Sequence, residues 1–368
     1  MTNETGWAFG CNLGNHISTA CRKLTLIERA NNLLSSAELH FLVKDAKVGD
    51  KLLNEITDDL IKKKDEPIQI WLHTASGKKT KVWNHVIARM HLSYSQNDAF
   101  DVKLIVTTVE QLAHMNRDTK NRAHSEHQSR VSSLVESLIK ENKLTSESVE
   151  QTKEVKEFGI LRQCYMTDYQ FVISHLVPRS SGDSGSGFRL FTKDGKKVCF
   201  QTLSHKAKNC TIQPEFILKI DEVIDCYDIH KKGGHDVKSS ALSPADKKVV
   251  QSESKGEDGN TGSTGPTWSY PTYLQYPVYS REALDAITKS HQRGLVGGSY
   301  PLSIRMIGSD KVGKENISLE FPMKVKLDSG TNYRKRDGQF GYLEEVVHIY
   351  DSGAYEVTLR CSRGKINV

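Results

Sequence analysis

The run Gly182-Asp183-Ser184-Gly185-Ser186-Gly187 offers free backbone amides and a serine, the raw material of phosphate binding or of a serine nucleophile. It lacks the lysine and the helix that complete a phosphate loop, so it reads as a flexible turn. His124 with His127, and His230 with His235, are the nearest approach to paired metal ligands, but neither pair has a carboxylate or thiolate at a matching spacing. Glycan hydrolysis needs two carboxylates flanking a sugar bond, and Glu136 and Glu344 are candidates. Both read as surface acids: Glu344 and Glu345 follow each other on one predicted strand, where alternation should turn one of them to solvent. The sequence has no HExxH, no GxGxxG between strand and helix, no Walker loop and no GxSxG elbow. The expectation is a protein that is not an enzyme, with no catalytic, cofactor-binding or metal-ligating residue and no cofactor.

The elements that would position any such residues are mostly strands. Lys23–Ile27, Ala37–Val43, Ile68–His73, Trp83–Leu92 and Phe100–Thr107 are rich in β-branched and aromatic residues at a two-residue period, as a small barrel or sandwich requires. Between the second and third, Leu52, Leu53, Ile56, Leu60 and Ile61 predict a short helix over 50–63. The pattern then turns helical. Val131, Leu134, Val135, Leu138 and Ile139 draw one apolar stripe that fades at Asn142. A second helix should follow Thr167 or Asp168, either of which can cap free amides, and carry Tyr169, Val172, Ile173 and Leu176 on one face as far as Pro178.

Phe188–Thr192 and Lys197–Thr202 flank Asp194-Gly195, a dipeptide suited to the positive backbone angles of a tight hairpin turn. Phe216–Tyr227 reads as a strand or strand pair. The stretch 231–266, rich in Gly, Ser, Lys and Asp, reads as a flexible surface loop or linker. After the aromatic run Trp268, Tyr270, Tyr273, Tyr276 and Tyr279, Ser280 can cap a short helix carrying Ala283, Leu284 and Ile287. Leu302–Ile307, Lys324–Leu327, Gln339–Tyr350 and Ala354–Cys361 return to strand composition, the last two joined through Asp351-Ser352-Gly353.

Composition narrows the function classes. The net charge of +6 comes from 51 basic and 45 acidic residues that are interspersed, which favours solubility over a dedicated polyanion-binding field. The basic cluster of Arg117, Lys120, Arg122 and Arg130, with His114, His124 and His127, has no interleaved aromatic residue and reads as a solvated loop. The seven cysteines (Cys11, Cys21, Cys164, Cys199, Cys210, Cys226 and Cys361) form no CxxC pair, so several, Cys199 among them, should act as small hydrophobes. No apolar stretch approaches the roughly 20 residues needed to cross a bilayer, so no membrane role is expected. Residues 1–20 lack the features of a signal peptide, and assembly in a cytoplasm is expected.

One block is more informative than any catalytic motif. Gln163, Thr167, Asp168, Tyr169 and Phe171, followed by Asp194, Gly195, Lys196 and Phe200, stand in the order and spacing of a block that opens a helix and then makes an Asp-Gly-Lys hairpin. In this the chain resembles the phage baseplate hub family, which includes the base domain of type VI secretion spike proteins. The closing hairpin, Gly341–Tyr350 and Tyr355–Leu359, resembles that of the stand-alone phage hub. The resemblance implies an α+β, mainly β fold. It implies a first tube-like β-barrel domain over 1–115, a helix-helix-hairpin middle domain over 116–210 and strands over 211–230 that return to the barrels. Past the loop of 231–266 lies a second tube-like barrel region with a short helix over 267–368.

By the same resemblance the chain would form a homotrimer whose barrels close a pseudo-hexameric ring in the tail baseplate of a virion. One face would meet the tail tube or a tube-initiator protein. The other would carry a separate trimeric spike, with other baseplate proteins alongside and DNA passing through the lumen. Alternatives are a tail-tip protein of a non-contractile phage, the hub of a related contractile injection system and, from a different class, a peptidoglycan hydrolase.

Overall fold

A computed structural model of the chain describes residues 8–12, 21–43, 66–73, 79–95, 101–124, 130–152, 161–180, 188–202, 215–219, 223–228, 235–243, 247–254, 268–273, 302–308, 324–328 and 340–363, with isolated helical positions at 51, 54, 58, 281, 284, 285 and 288. The strands of the first part are β1 (Ala8–Cys11), β2 (Cys21–Arg29), β3 (Ser36–Val43), β4 (Ile68–His73), β5 (Lys79–Ser95) and β6 (Asp101–Glu110). The middle holds β7 (Thr119–His124), β8 (Thr145–Val149), β9 (Leu161–Thr167), β10 (Phe188–Lys193) and β11 (Lys197–Thr202). Then follow β12 (Glu215–Lys219), β13 (Val223–Asp228), β14 (His235–Ser243), β15 (Lys248–Ser254) and β16 (Trp268–Tyr273). The last are β17 (Leu302–Ile307), β18 (Lys324–Asp328), β19 (Phe340–Asp351) and β20 (Ala354–Arg363). The fold is α+β and mainly β.

Strands from both ends of the chain form one curled 12-stranded sheet in the order β1-β4-β5-β6-β3-β2-β19-β20-β17-β13, with β18 also on β19 and β12 on β18. The join is the antiparallel pair β2–β19, running from Glu345 opposite Arg29 to Asp351 opposite Lys23. Period-two alternation makes this possible. Leu24 and Leu26 of β2, Leu39 and Phe41 of β3, Leu104 and Val106 of β6, and Val357 and Leu359 of β20 all turn inward, into one core. The expected pair within 216–227 is β12 and β13. They do not pair with each other: β12 lies parallel to β18, and β13 is antiparallel to β17.

A second core belongs to the middle of the chain. Helix α1 (Val131–Glu141) buries the predicted stripe of Val131, Leu134, Val135, Leu138 and Ile139. Phe188, Leu190 and Phe200 of the β10–β11 hairpin pack in the same core, with the two phenylalanine rings 5.0 Å apart. Helix α2 (Asp168–Phe171) begins at Thr167, whose hydroxyl accepts the amide of Gln170 while the Gln170 carboxamide accepts the amide of Thr167. Thr167 is therefore the cap, and Asp168 is left for other work. The helix runs on through a π-turn (Val172–Leu176) into α3 (Val177–Arg179).

Three expectations need correction. The stretch 231–266 contains the antiparallel pair β14–β15, and β16 joins β14 in parallel. Its inward residues are small (Val237, Ser239, Ala241 and Ser243), so hydropathy hides a strand held by its backbone ladder. The basic cluster includes a strand where a solvated loop was expected: β7 pairs with β9, and Lys120 and Arg122 both contact Asp168. Glu344 and Glu345 are both buried. The register slips between Leu343 and Glu345, so Glu344 is an extra bulge residue and the simple alternation fails there. The helix expected over 50–63, the glycine run of 182–187 and the helix from Ser280 lie largely outside the described residues; of the last, Leu284 is fully buried and its carbonyl accepts the Thr288 hydroxyl at 2.7 Å.

Candidate functional site

The inward rows of the large sheet carry polar residues as well as apolar ones. Glu28 of β2, His85 of β5, Thr108 and Glu110 of β6, and Glu344, Glu345 and His348 of β19 are all buried. Together they make a polar seam under the β10–β11 hairpin and along the β2–β19 join. Each must find a partner there, because an unpaired buried polar group is costly.

At the join, Glu345 lies directly across from Arg29 on one side and Arg360 on the other. Arg29 Nε donates to Glu345 Oε2 at 3.0 Å, and Arg360 Nη1 donates to Oε1. Arg29 also donates through Nη1 to the carbonyl of Leu34 at 2.7 Å, so the same guanidinium ties the β2–β3 turn to β19. Three residues further along β19, His348 Nε2 is 3.0 Å from Glu28 Oε1 and its Nδ1 is 2.8 Å from the Tyr355 hydroxyl. The imidazole stacks on the Tyr355 ring, and its centroid lies 5.3 Å from that of Trp83. Burial, then the nearby Glu28 carboxylate, raises the Tyr355 pKa, so the phenol stays protonated.

The hairpin docks on the end of the sheet through its turn. Asp194 and Gly195 both have positive φ, at 59° and 71°. Their carbonyls accept the amides of Asn84 and Gln111, each at 2.8 Å. Beside them Thr192 donates its hydroxyl to Glu110 Oε2. Glu110 is wholly buried, and desolvation pushes its carboxyl up to about 7 despite the opposing hydrogen bonds from Thr192 and Ser35. Asn32, at φ 65° between β2 and β3, makes a further tie: its side-chain oxygen accepts the Leu190 amide at 2.7 Å and its carbonyl accepts the Tyr169 hydroxyl at 2.8 Å.

The block that carried the resemblance forms one node. Asp168 accepts hydrogen bonds from Lys120 Nζ at 2.5 Å, Asn142 Nδ2 at 2.8 Å, Gln163 Nε2 at 2.9 Å and Arg122 Nη2 at 3.0 Å. Gln163 in turn receives Arg122 Nε at 3.0 Å, and its side-chain oxygen lies 3.2 Å from His124 Nε2. Burial alone would raise the Asp168 pKa; the bonds from Lys120, Asn142 and Gln163 outweigh it and hold the carboxyl below the usual range. The node ties α1, α2 and the β7–β9 ribbon together.

What this arrangement can do chemically is limited by its closure. Glu28, His348 and Tyr355 have the residue types of a proton relay, but all three are buried, with His348 held between the other two. Glu344 and Glu345 are drawn onto cations: Glu345 takes Arg29 and Arg360, and Glu344 Oε1 lies 3.8 Å from Arg189 Nη2. Both carboxylates are buried in the sheet. Glu136 sits on the outer face of α1, in an i,i+4 pair with Lys140. His124 is turned to Gln163 and stacked on Phe171, while His127 and His230 lie outside the described residues. Among the described residues no group of three or more His, Cys, Asp or Glu is placed to hold a metal, and no helix is long and apolar enough to cross a membrane. Cys199 packs in the main core as expected of a small hydrophobe. The seam itself had no sequence signal beyond polar residues falling on inward strand positions.

No family model and no curated protein matches the chain in sequence. Solved structures match it in fold. The 43 kDa tail protein of prophage MuSo2 from Shewanella oneidensis superposes with a TM-score of 0.64 at 9% identity, covering 97% of this chain and 98% of that one. A tail protein from Neisseria meningitidis gives 0.60 at 10% identity, covering 97% and 96%. An E. coli component of the type VI secretion system, itself described as similar to bacteriophage T4 tail proteins gp27 and gp5, gives 0.55 at 11% identity, covering 97% and 77%. The chain has the fold of these phage-tail and type VI secretion proteins, as the Gln163–Phe171 block implied.

Proposed function

We propose that this chain is the structural hub of a phage tail baseplate. Three copies close a pseudo-hexameric ring that adapts a sixfold tail tube, or its initiator, to a separate threefold spike. In this reading residues 1–115 and 267–368 supply two tube-like barrel units per chain, other baseplate proteins bind around them, and DNA passes through the lumen. The observation that supports it most is the β2–β19 pair, which welds the two β-rich parts of the chain edge to edge into one curled wall. Two such units held in fixed relation give a trimer six wall segments, which is what a threefold-to-sixfold adaptor needs. The likeness to tail proteins along nearly the whole chain supports a structural role over an enzymatic one.

Light scattering at several concentrations tests this. A mass near three times 41.4 kDa, with binding to purified tube and spike proteins, is the expected result. A monomer that binds neither overturns it. The likeness to an E. coli type VI secretion component favours one second reading, the hub of a related contractile injection system, which binding to that system's own tube and spike would distinguish.

A further inference from the structure

Glu110, the last residue of β6, is wholly buried where the end of the large sheet meets the β10–β11 hairpin, the β2–β3 turn and α2. Thr192 of the hairpin donates its hydroxyl to Oε2, while Oε1 is buried with no hydrogen-bond partner among the described residues. An ionised carboxyl offers about four acceptor sites, and leaving an oxygen bare away from water is costly.

The charged and titratable groups of the elements packed around Glu110 are committed elsewhere. Arg29 of β2 is shared between Glu345 and the Leu34 carbonyl. His85, opposite Glu110 on β5, has its Nδ1 2.9 Å from the Thr108 hydroxyl. Tyr169 of α2 donates to the Asn32 carbonyl. On the hairpin Lys193 is paired with Glu147, and Asp194 brings a second acid in place of a cation. The closed seam therefore accommodates the neutral carboxyl and not the charged one, in keeping with the rise to about 7 that desolvation causes.

The hairpin that covers Glu110 is gripped unequally along its length. Phe188, Leu190 and Phe200 are sunk in the second core, and Phe191 and Cys199 in the main one. Past them the tip, residues 192–197, contributes no apolar side chain to either core. It is held to the sheet by the Thr192 hydroxyl on Glu110 and by the Asn84 and Gln111 amides on the Asp194 and Gly195 carbonyls. We infer that Glu110 is a proton-operated latch for this tip: neutral, it lets the tip lie on the ends of β5 and β6; ionised, it releases the tip to water while both cores stay packed. The device goes beyond the hub reading and does not depend on it. Its sign follows from linkage. A released carboxyl returns to the ordinary value of 4.5, so opening is least below that pH, grows as pH rises, and levels off above about 7, some 300-fold higher, or about 2.5 powers of ten.

Amide hydrogen exchange of the full-length chain between about pH 4.5 and about pH 8.5, corrected for the intrinsic rate at each pH, tests the latch. Protection of the Asn84 and Gln111 amides should fall by about 300-fold across this range. At every pH both should exchange faster than the amides of α1 and of the β2–β19 pair, because the tip opens with the cores intact. Glu110→Gln, neutral throughout, should abolish the fall. Protection equal to that of the cores means that only global unfolding exposes Glu110 and overturns the latch. A fall that persists in Glu110→Gln, as titration of His85 would give, overturns it too. Should that variant fail to fold, infrared spectra of the wild type decide: a protonated carboxyl present at about pH 6 and gone by about pH 8.5 is expected, and its absence at about pH 6 overturns the proposal.

Discussion

The carbonyl oxygen of Gly195, at the tip of the β10–β11 hairpin, accepts the backbone amide of Gln111 at 2.8 Å, just past the end of β6. Through this bond and its neighbour from Asn84 to Asp194, a turn that closes one hairpin also fastens the middle of the chain to the large sheet. Both bonds lie where the hairpin of the middle part meets the end of the large sheet, and they hold the two in fixed relation.

Gly195 is the most constrained position in that tie. A Cβ there would lie 2.4 Å from the Asn84 carbonyl oxygen, and φ is +71°. Gly195→Ala should cost about 2–4 kcal/mol, from strain and the loss of both docking bonds. Urea denaturation should show it as a lower midpoint, while Lys196→Ala next door should change little.

Glu110 should make stability fall as pH rises. Its folded pKa of about 7 lies above the ordinary carboxyl value of 4.5. The contribution is therefore whole below about pH 4.5 and is lost as pH rises through about 7, amounting to about 3 kcal/mol at most. Glu110→Gln keeps an acceptor for the Thr192 hydroxyl and removes the ionisation. Thermal midpoints measured from pH 4.5 to 8 should show the variant overtaking the wild type at the alkaline end; parallel curves would refute the assignment.

Asp168 carries the opposite sign. Its lowered pKa gives stability that is present above the unfolded value and lost as pH falls through the folded one. Asp168→Asn leaves Lys120 and Arg122 without their shared carboxylate and should cost about 3–5 kcal/mol near pH 7. The gap from wild type should narrow in acid, which denaturant titrations at two pH values would register.

Glu345 joins β2, β19 and β20 through Arg29 and Arg360. Glu345→Ala should destabilise by about 3 kcal/mol, since a half-buried arginine loses its partner. Glu136→Ala, on the exposed face of α1, should stay within about 0.5 kcal/mol of wild type. Equal effects from the two substitutions would contradict the burial of Glu345.

Much of the local structure was legible because it depends on near neighbours in the chain. The stripe Val131 to Ile139 could only be one face of a helix, a cap was expected at Thr167 or Asp168 by type and position, and Asp194-Gly195 was a hairpin turn by its tolerance of positive φ. The alternating apolar residues of β2, β3 and β6 likewise declared which side would face a core.

What only the tertiary structure decided are matters of parity and partner. A bulge shifts alternation by one residue, and whether it forms depends on the strand opposite; this turned Glu344 inward and Tyr165 outward. Small inward residues in β14 gave no hydropathy signal because their gain lies in the ladder, which needs β15 and β16 to exist. Asp168 could have capped its helix, but Lys120, Arg122, Asn142 and Gln163, brought from three other elements and their ends, made it a node. The sequence by itself determined the helices and the strands with clear apolar alternation; long-range packing determined the remaining strands, such as β7 and β14, and which polar side chains would be buried, because a charge can leave water only where the fold supplies its partner.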